Sequence, residues 1–99
     1  MKKSIWKFPM EVNDKVKVSM PKGAEILTVQ TQQIGKFTPD ETPCIWALVD
    51  TENEKEERYF EIFGTGHPVP VDMGIERKYI NTFQLKGGAL VFHLFERLN

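Results

Sequence analysis

"KVKVSM", residues 15–20, alternates without a break between polar and apolar side chains. Successive side chains of a β-strand point to opposite faces, so Val16, Val18 and Met20 would share one face of an extended chain. The lysines and the serine would share the other face. A period of two therefore predicts a strand with one side buried against a core and one side in solvent.

The rest of the chain repeats short apolar or β-branched runs between turn signals, which is typical of an all-β domain. "CIWALVD", residues 44–50, contains six consecutive apolar residues and predicts a central strand that is buried on both faces. "PKGA", residues 21–24, predicts a tight turn that joins KVKVSM to the next strand in a hairpin. Residues 34–43 hold two prolines and a glycine and predict a loop. The predicted strands are SIWKFP, KVKVSM, EILTVQTQQ, CIWALVD, YFEIF, RKYINTFQ and ALVFHLFE.

About seven strands in 99 residues predict a single all-β domain that spans residues 1–99, either an antiparallel β-sandwich or a small barrel. At most one short helical turn is expected, near residues 71–77. A chain of this length supports one hydrophobic core, since a typical domain has about 100–150 residues. An apolar final strand and a free sheet edge favour a homodimer or higher homo-oligomer over a monomer.

Composition and charge exclude several classes of function. The net charge of −1 gives no basic surplus for generic nucleic-acid binding. The single cysteine rules out an intramolecular disulfide and indicates a reducing compartment. No stretch approaches the roughly 18–20 apolar residues of a membrane span, and the start MKKSIWKFP lacks the apolar run of a signal peptide. We therefore expect a cytoplasmic protein that binds neither membranes nor generic nucleic acid.

"GTGHP", residues 64–68, is the most unusual motif in the chain. Gly64 and Gly66 allow backbone bends in which peptide N–H groups converge on an anion. His67 lies in the predicted loop, where its imidazole can hydrogen-bond a phosphate or a base edge. The P-loop pattern GxxxxGK[ST] and the Rossmann fingerprint are both absent. A tight turn is the simpler interpretation of the motif, and a turn that also binds a ligand is the alternative.

Basic and aromatic residues elsewhere extend this candidate site. Arg77 and Lys78 precede Tyr79 and are candidates to neutralise phosphate charge, while Trp46 is a candidate stacking platform for a base. The complete candidate ligand site consists of Gly64, Thr65, Gly66, His67, Arg77, Lys78 and Trp46.

No set of residues favours catalysis, a metal ion or a cofactor. His67 and His93 lie in the tripeptides HPV and HLF, which do not match the H-x-[ST] motif of two-histidine phosphoesterases. Cys44 opens the most buried strand, where a thiol tends to stay protonated, and the histidines and cysteine lack zinc-ligand spacing. His93 shares one strand face with Val91 and Phe95, which is typical of a hydrogen-bonded core or interface residue. We expect a protein that is not an enzyme.

Six segments of the chain together resemble a family of small domains of unknown function that are encoded mainly by bacteriophages and prophages. The segments are IWKFP, MPKGAEILTVQ, PCIWALVD, EERYFEIFGTGHP, YINTFQ and GGALVFHLFE. The resemblance covers almost the whole chain, and GTGHP and LVFHLFE are its most distinctive parts. Residues 34–43 look longer than the usual connection. The resemblance implies no known enzymatic activity.

The phage origin that this resemblance implies leads to two hypotheses about binding. The first is an anti-defence protein that sequesters a nucleotide-derived immune signal, such as a cyclic oligonucleotide or a cyclic ADP-ribose variant, in the host cytosol. The second is a protein-interaction module that inhibits a host protein or serves in phage assembly. It predicts an exposed apolar patch, for which Ile5, Trp6 and Phe8 are candidates. A nucleotide hydrolase that uses His67 or His93 ranks last.

Overall fold

The computed structural model describes residues 2–33, 41–71 and 74–99. Seven antiparallel strands account for most of these residues, and a short 3₁₀ turn, Lys86–Gly88, joins the last two. No helix in the described residues is long and apolar enough to cross a membrane. The strands are β1 (Lys3–Pro9), β2 (Lys15–Pro21), β3 (Glu25–Gln33), β4 (Glu41–Asp50), β5 (Lys55–Gly64), β6 (Arg77–Leu85) and β7 (Leu90–Arg97).

The strands form two antiparallel sheets that enclose one core. The three-stranded sheet has the order β1-β4-β3, and the four-stranded sheet has the order β2-β5-β7-β6. Both sheets contribute side chains to the core, and full burial of one large apolar side chain stabilises the fold by about 1.5–3 kcal/mol. The prediction of an all-β domain with about seven antiparallel strands is confirmed. The central core residues are Val29, Ile45, Ala47, Val49, Phe60, Ile62 and Leu94.

The predicted hairpin between β2 and β3 is wrong, because these strands belong to different sheets. β2 pairs with β5, whereas β3 pairs with β4. The turn itself forms: the Ala24 N–H donates to the Pro21 carbonyl at 3.1 Å, and Gly23 has φ +78°. A positive φ at the third position is what a type II turn requires. The turn therefore carries the chain from one layer to the other.

β4 is the central strand of the three-stranded sheet. Its core face is fully buried, while Trp46 and Leu48 on its outer face are half-buried. Residues 41–43 extend this strand and are not part of a loop, and residues 34–40 lie outside the described residues. The short helical turn lies at Lys86–Gly88, whereas residues 71 and 74–77 are not helical and residues 72 and 73 are not described.

The two sheets meet along β3 and β6. The Thr31 hydroxyl donates to the Gln84 carbonyl at 2.6 Å, and the Asn81 amide donates to the Thr28 hydroxyl at 2.9 Å. On the other side of the sandwich, β1 and β2 are edge strands. Both carry lysines, and β1 ends at a proline, which are features that protect sheet edges from further pairing.

Candidate functional site

The polar and aromatic side chains of the four-stranded sheet gather on the side that points away from the core, here called the outer face. Pairing places His93 opposite both Phe63 and Thr82, and the next outward residue of β7, Phe95, opposite Glu61 and Tyr79. The side chains of the outer face are Lys15, Lys17, Tyr59, Glu61, Phe63, Arg77, Tyr79, Thr82, His93, Phe95 and Arg97.

Residues 64–67 form a tight turn at the end of β5. The His67 N–H donates to the Gly64 carbonyl at 3.0 Å, and Gly66, at the third position, has φ +86°. This is the geometry of a type II turn, which disfavours any residue with a side chain at that position. A Cβ on Gly64 would lie 2.9 Å from His67 Nδ1, because the imidazole packs over the glycine. Each glycine of GTGHP is therefore required for a different steric reason.

A cavity of about 230 Å³ lies beside this turn. Its apolar walls include Phe63, Tyr79 and Phe95, and its polar groups come from Thr65, His67 and His93. We call these six residues the corner pocket. Most ligand pockets measure about 300–1,000 Å³, so this one suits a single ring system.

The aromatic rings of the corner pocket hold each other edge to face. Phe95 makes T-shaped contacts with Phe63, at 5.7 Å between centroids, and with Tyr79, at 5.4 Å. Such pairs contribute about 0.5–1.5 kcal/mol beyond the area that they bury. Tyr79 is still 51% exposed, so part of this residue is accessible to a ligand.

His93 is the centre of a chain of hydrogen bonds that links β6 and β7 to the turn after β5. Its Nδ1 lies 2.8 Å from the Thr82 hydroxyl, and its Nε2 lies 2.7 Å from the Thr65 hydroxyl. The Tyr79 hydroxyl continues the chain at 2.5 Å from Thr82. Because hydroxyl groups both donate and accept, either neutral tautomer of His93 satisfies both ring nitrogens. The imidazole therefore positions Thr65 and, through Thr82, Tyr79.

Glu61, although only 7% exposed, binds two arginines. Its carboxylate accepts hydrogen bonds from Arg77 at 3.0 and 3.2 Å and from Arg97 at 3.3 Å. Arg77 and Arg97 are paired directly across β6 and β7, where like charges repel. The carboxylate between them compensates this repulsion. Arg77 also donates to the Pro70 carbonyl and lies over the ring of Phe63.

The structure brings only part of the sequence-predicted site together. Gly64, Thr65, Gly66 and His67 line the corner pocket, and Arg77 shares its face of the sheet. Lys78 lies on the opposite side of β6, because side chains alternate along a strand.

Trp46 is on the other sheet, where its ring centroid is 5.7 Å from the Lys7 ammonium nitrogen. It therefore does not line the corner pocket.

The turn has few free donors for an anion. The N–H groups of Thr65 and His67 already donate to the carbonyls of Val91, at 3.3 Å, and Gly64, at 3.0 Å. The Arg77 guanidinium is bound by Glu61 and Pro70. A phosphate therefore finds little to bind at this turn, where the sequence predicted a tight turn and left ligand binding as the alternative.

Tyr79, Thr82, His93 and Phe95 belong to the site but were not among the predicted ligand residues. The alternating pattern of β7 did place His93 and Phe95 on one face. Their joint position with Tyr79 and Thr65 depends on the pairing of β5, β7 and β6, which that pattern does not encode.

Other reactive groups are held in structural contacts. Cys44 is 0% exposed, and burial raises the pKa of its thiol above the usual value. The nearby Lys7 ammonium offsets only part of this rise in pKa. The hydrogen bonds that Arg58 donates to the Glu96 carboxylate raise the pKa of Arg58, which also donates to the Ala24 carbonyl at 2.9 Å. Within the described residues, no three histidine, cysteine or acidic side chains are grouped so that they could hold a metal ion.

The whole chain, residues 1–99, matches the model of a protein family described as a domain of unknown function, DUF7352. The chain belongs to this family, which confirms the prediction of a family of unknown function. Searches of curated proteins and of solved structures gave no significant match. The family description carries no activity, so its function has to be inferred from the residues of the outer face.

Proposed function

We propose that this member of the DUF7352 family is a non-enzymatic binding protein that holds the ring of a nucleotide-derived small molecule in the corner pocket. The observation that carries the proposal is the half-exposed ring of Tyr79 beside the polar groups of Thr65 and His67. A nucleobase is flat and has hydrogen-bonding edges. It can therefore stack on an aromatic face while its rim bonds to polar side chains.

The chemistry of the pocket favours the base over the phosphate. Its walls are mainly aromatic and apolar, and the polar groups that it offers to a ligand are those of Thr65 and His67. Hydroxyl and imidazole groups suit the edge of a heterocycle, whereas a phosphate requires cations or free N–H groups. The N–H groups of Thr65 and His67 are already used within the protein.

The contacts of the reactive side chains support binding without turnover. Both ring nitrogens of His93 are occupied by threonine hydroxyls. The buried carboxylates Glu61 and Glu96 are held by arginines, and the Cys44 thiol is buried. A general base or nucleophile needs a free reactive atom aimed at the substrate. These groups instead maintain the shape of the protein.

For the biological role, we propose sequestration of a nucleotide-derived immune signal in the host cytosol. The support is the resemblance to phage-encoded domains together with a ring-sized pocket. A protein that sequesters a signal needs tight binding and no chemistry, and this combination fits a small β-domain in which His93, the buried carboxylates and Cys44 are engaged or buried.

Thermal-shift and calorimetric titrations with adenosine, guanosine, AMP, ADP-ribose and cyclic dinucleotides test the proposal. A ligand that binds only the folded state raises Tm. Tyr79→Ala should lower the affinity for that ligand by roughly tenfold or more, since stacking of one base contributes about 1–3 kcal/mol.

Ile5→Ala, on the other sheet, is the matched control and should leave affinity unchanged. Mass spectrometry should recover the ligand intact. A flat Tm across the panel, or equal binding by Tyr79→Ala, would contradict the proposal.

A second candidate function, protein binding, is favoured by the outer side of the three-stranded sheet. Ile5 is 59% exposed opposite Leu48 on β4, and Leu27, in a bulge of β3, is 45% exposed. Trp6 and Phe8 pack against the core and do not belong to this patch. The double variant Ile5→Ser/Leu27→Ser should lose capture of a host protein, whereas Tyr79→Ala should keep it. The reverse result supports the corner pocket.

A further inference from the structure

A second cavity of the outer face, about 400 Å³ in volume, lies next to β2. Lys15, Lys17, Tyr59 and Arg97 line it, and we call these four residues the basic pocket. Pairing explains why they meet: Lys17 lies opposite Tyr59, and Tyr59 lies opposite Arg97. This alternation of β2 exposes its lysines on the same face as the corner pocket.

The basic pocket carries more positive charge than the protein neutralises. One carboxylate, Glu61, is shared by two guanidiniums, and the Nε of Arg97 is buried without a hydrogen-bond partner in the described structure. Lys15 forms no ion pair with any described residue. Lys17 pairs with Glu57 at 3.6 Å, but both side chains are more than half exposed, so the pair is weak.

Acidic side chains flank this cluster but are outnumbered on the walls of the cavity. Glu11 and Asp14 line neighbouring cavities that include Lys15, and Glu57 pairs with Lys17. The charged side chains that line the cavity itself are three cations, Lys15, Lys17 and Arg97, and one carboxylate, Glu61. The surplus favours an anionic ligand.

A third cavity lies between the basic pocket and the corner pocket, because it shares Lys15 and Glu61 with the first and Phe63 and His67 with the second. We call these three adjacent cavities the groove. Tyr59 and Phe63 are four residues apart on β5, which corresponds to about 13 Å. Tyr59 is 52% exposed, so each end of the groove presents an accessible tyrosine.

We propose that the basic pocket binds the phosphate of the ligand, and that the groove as a whole takes a dinucleotide-like molecule with two ring systems joined through phosphate. This inference rests on the proposed function for the first ring. Tyr79 stacks on that ring, Lys15, Lys17 and Arg97 bind the phosphate, and Tyr59 stacks on the second ring. Lysine ammonium groups suit this role because they bind phosphate as point charges and adapt to its position.

Calorimetry with three probes separates the parts of the groove: adenosine, AMP and a linear adenine dinucleotide that carries a 5′-phosphate. Affinity should increase in that order. The double variant Lys15→Gln/Lys17→Gln should lower the affinity for the two phosphate-bearing probes by about tenfold or more and leave the affinity for adenosine unchanged. Higher salt should reproduce this selective loss, because it screens exposed charges. Tyr59→Ala should weaken only the dinucleotide.

Lys78→Gln is the matched control, since it removes an exposed lysine from the other side of the same sheet and should change none of the affinities. The inference is overturned if the double lysine variant binds the dinucleotide as tightly as the original protein. It is also overturned if that variant loses affinity for adenosine and for the dinucleotide by the same factor.

Inorganic pyrophosphate tests the basic pocket without any ring. In NMR titrations it should shift the amide signals of β2 and Arg97 in the original protein but not in Lys15→Gln/Lys17→Gln. Shifts with pyrophosphate but no binding of any base would refute the proposed function while the basic pocket stands. Base binding without a pyrophosphate response would refute this inference alone.

Discussion

Gly64 and Gly66 stand two positions apart but resist substitution for different reasons. Gly66 has a positive φ that an alanine adopts only with strain. Gly64 has ordinary backbone geometry, but its missing side chain leaves the space that the His67 ring fills. Substitutions at these two positions therefore separate the stability of the turn from the shape of the pocket.

Gly66→Ala should lower the free energy of unfolding by about 1–2 kcal/mol, because of the left-handed backbone. Gly64→Ala should instead displace His67 and weaken ring binding, with a smaller effect on stability. Urea denaturation measures the first effect and calorimetry the second. Equal losses of stability in both variants would show that His67 does not pack as described.

Glu61 is the residue on which the charge balance of the outer face depends. Glu61→Gln should destabilise the protein by roughly 3 kcal/mol, because it leaves Arg77 and Arg97 opposite each other without a compensating charge. Glu57→Gln is the control: it breaks an exposed pair and should change stability by less than about 1 kcal/mol. Urea denaturation of both variants measures the difference. Equal, small effects would contradict the assigned role of Glu61.

At the scale of a single strand, β5 presents a core face and a binding face from adjacent residues. Phe60 is 1% exposed in the core, whereas Tyr59 is 52% exposed on the outer face. Phe60→Ala should lower the free energy of unfolding by about 3–5 kcal/mol, through lost burial and a cavity.

Tyr59→Ala should lower the free energy of unfolding by less than about 1 kcal/mol. Urea denaturation with one protocol for both variants provides the comparison. A Tyr59→Ala variant as unstable as Phe60→Ala would mean that the faces of β5 are assigned the wrong way round.

The strands were predictable from the sequence, but most of their partners were not. Alternation in KVKVSM and the apolar run of CIWALVD are local patterns, and they locate β2 and β4. The turn at residues 21–24 is local as well, but it shows only that the chain changes direction. Whether β3 then pairs with β2 or crosses to the other layer depends on which faces meet in the core, so the hairpin prediction failed.

The candidate site was predictable to the same limited extent. GTGHP stood out because two closely spaced glycines precede one of the two histidines of the chain, and the structure places this motif at a cavity. The lysines of β2 were recognised as a solvent-facing row. Their proximity to Tyr59 and Arg97 arises from pairing between strands that are far apart in the sequence, which a single sequence does not encode.

The whole molecule is a thin two-layered slab. It measures 45 × 41 × 16 Å, and its radius of gyration of 14.3 Å exceeds the roughly 13 Å of a typical domain of this length. A slab exposes two broad outer surfaces relative to its volume. One of them carries the groove with its basic and corner pockets, and the other carries Ile5 and Leu27.

The shared core predicts that both sheets unfold together. Trp6 and Trp46 are both in the three-stranded sheet, whereas His67 and His93 both belong to the layer of the four-stranded sheet. Tryptophan fluorescence and the histidine NMR signals thus report separate layers. Their midpoints in urea should coincide, as in a two-state transition. Distinct midpoints would show that one layer is stable without the other.

β7 is the last of the seven strands along the chain, yet it lies between β5 and β6 inside its sheet. The ribosome therefore synthesises this inner strand after the two strands that flank it in the sheet. Until Leu94 has been synthesised, Phe60 and Ile62 lack one of their partners in the core. The nascent chain then exposes an apolar surface that chaperones and proteases recognise. Slow translation of residues 90–97 would therefore prolong the exposure of this apolar surface.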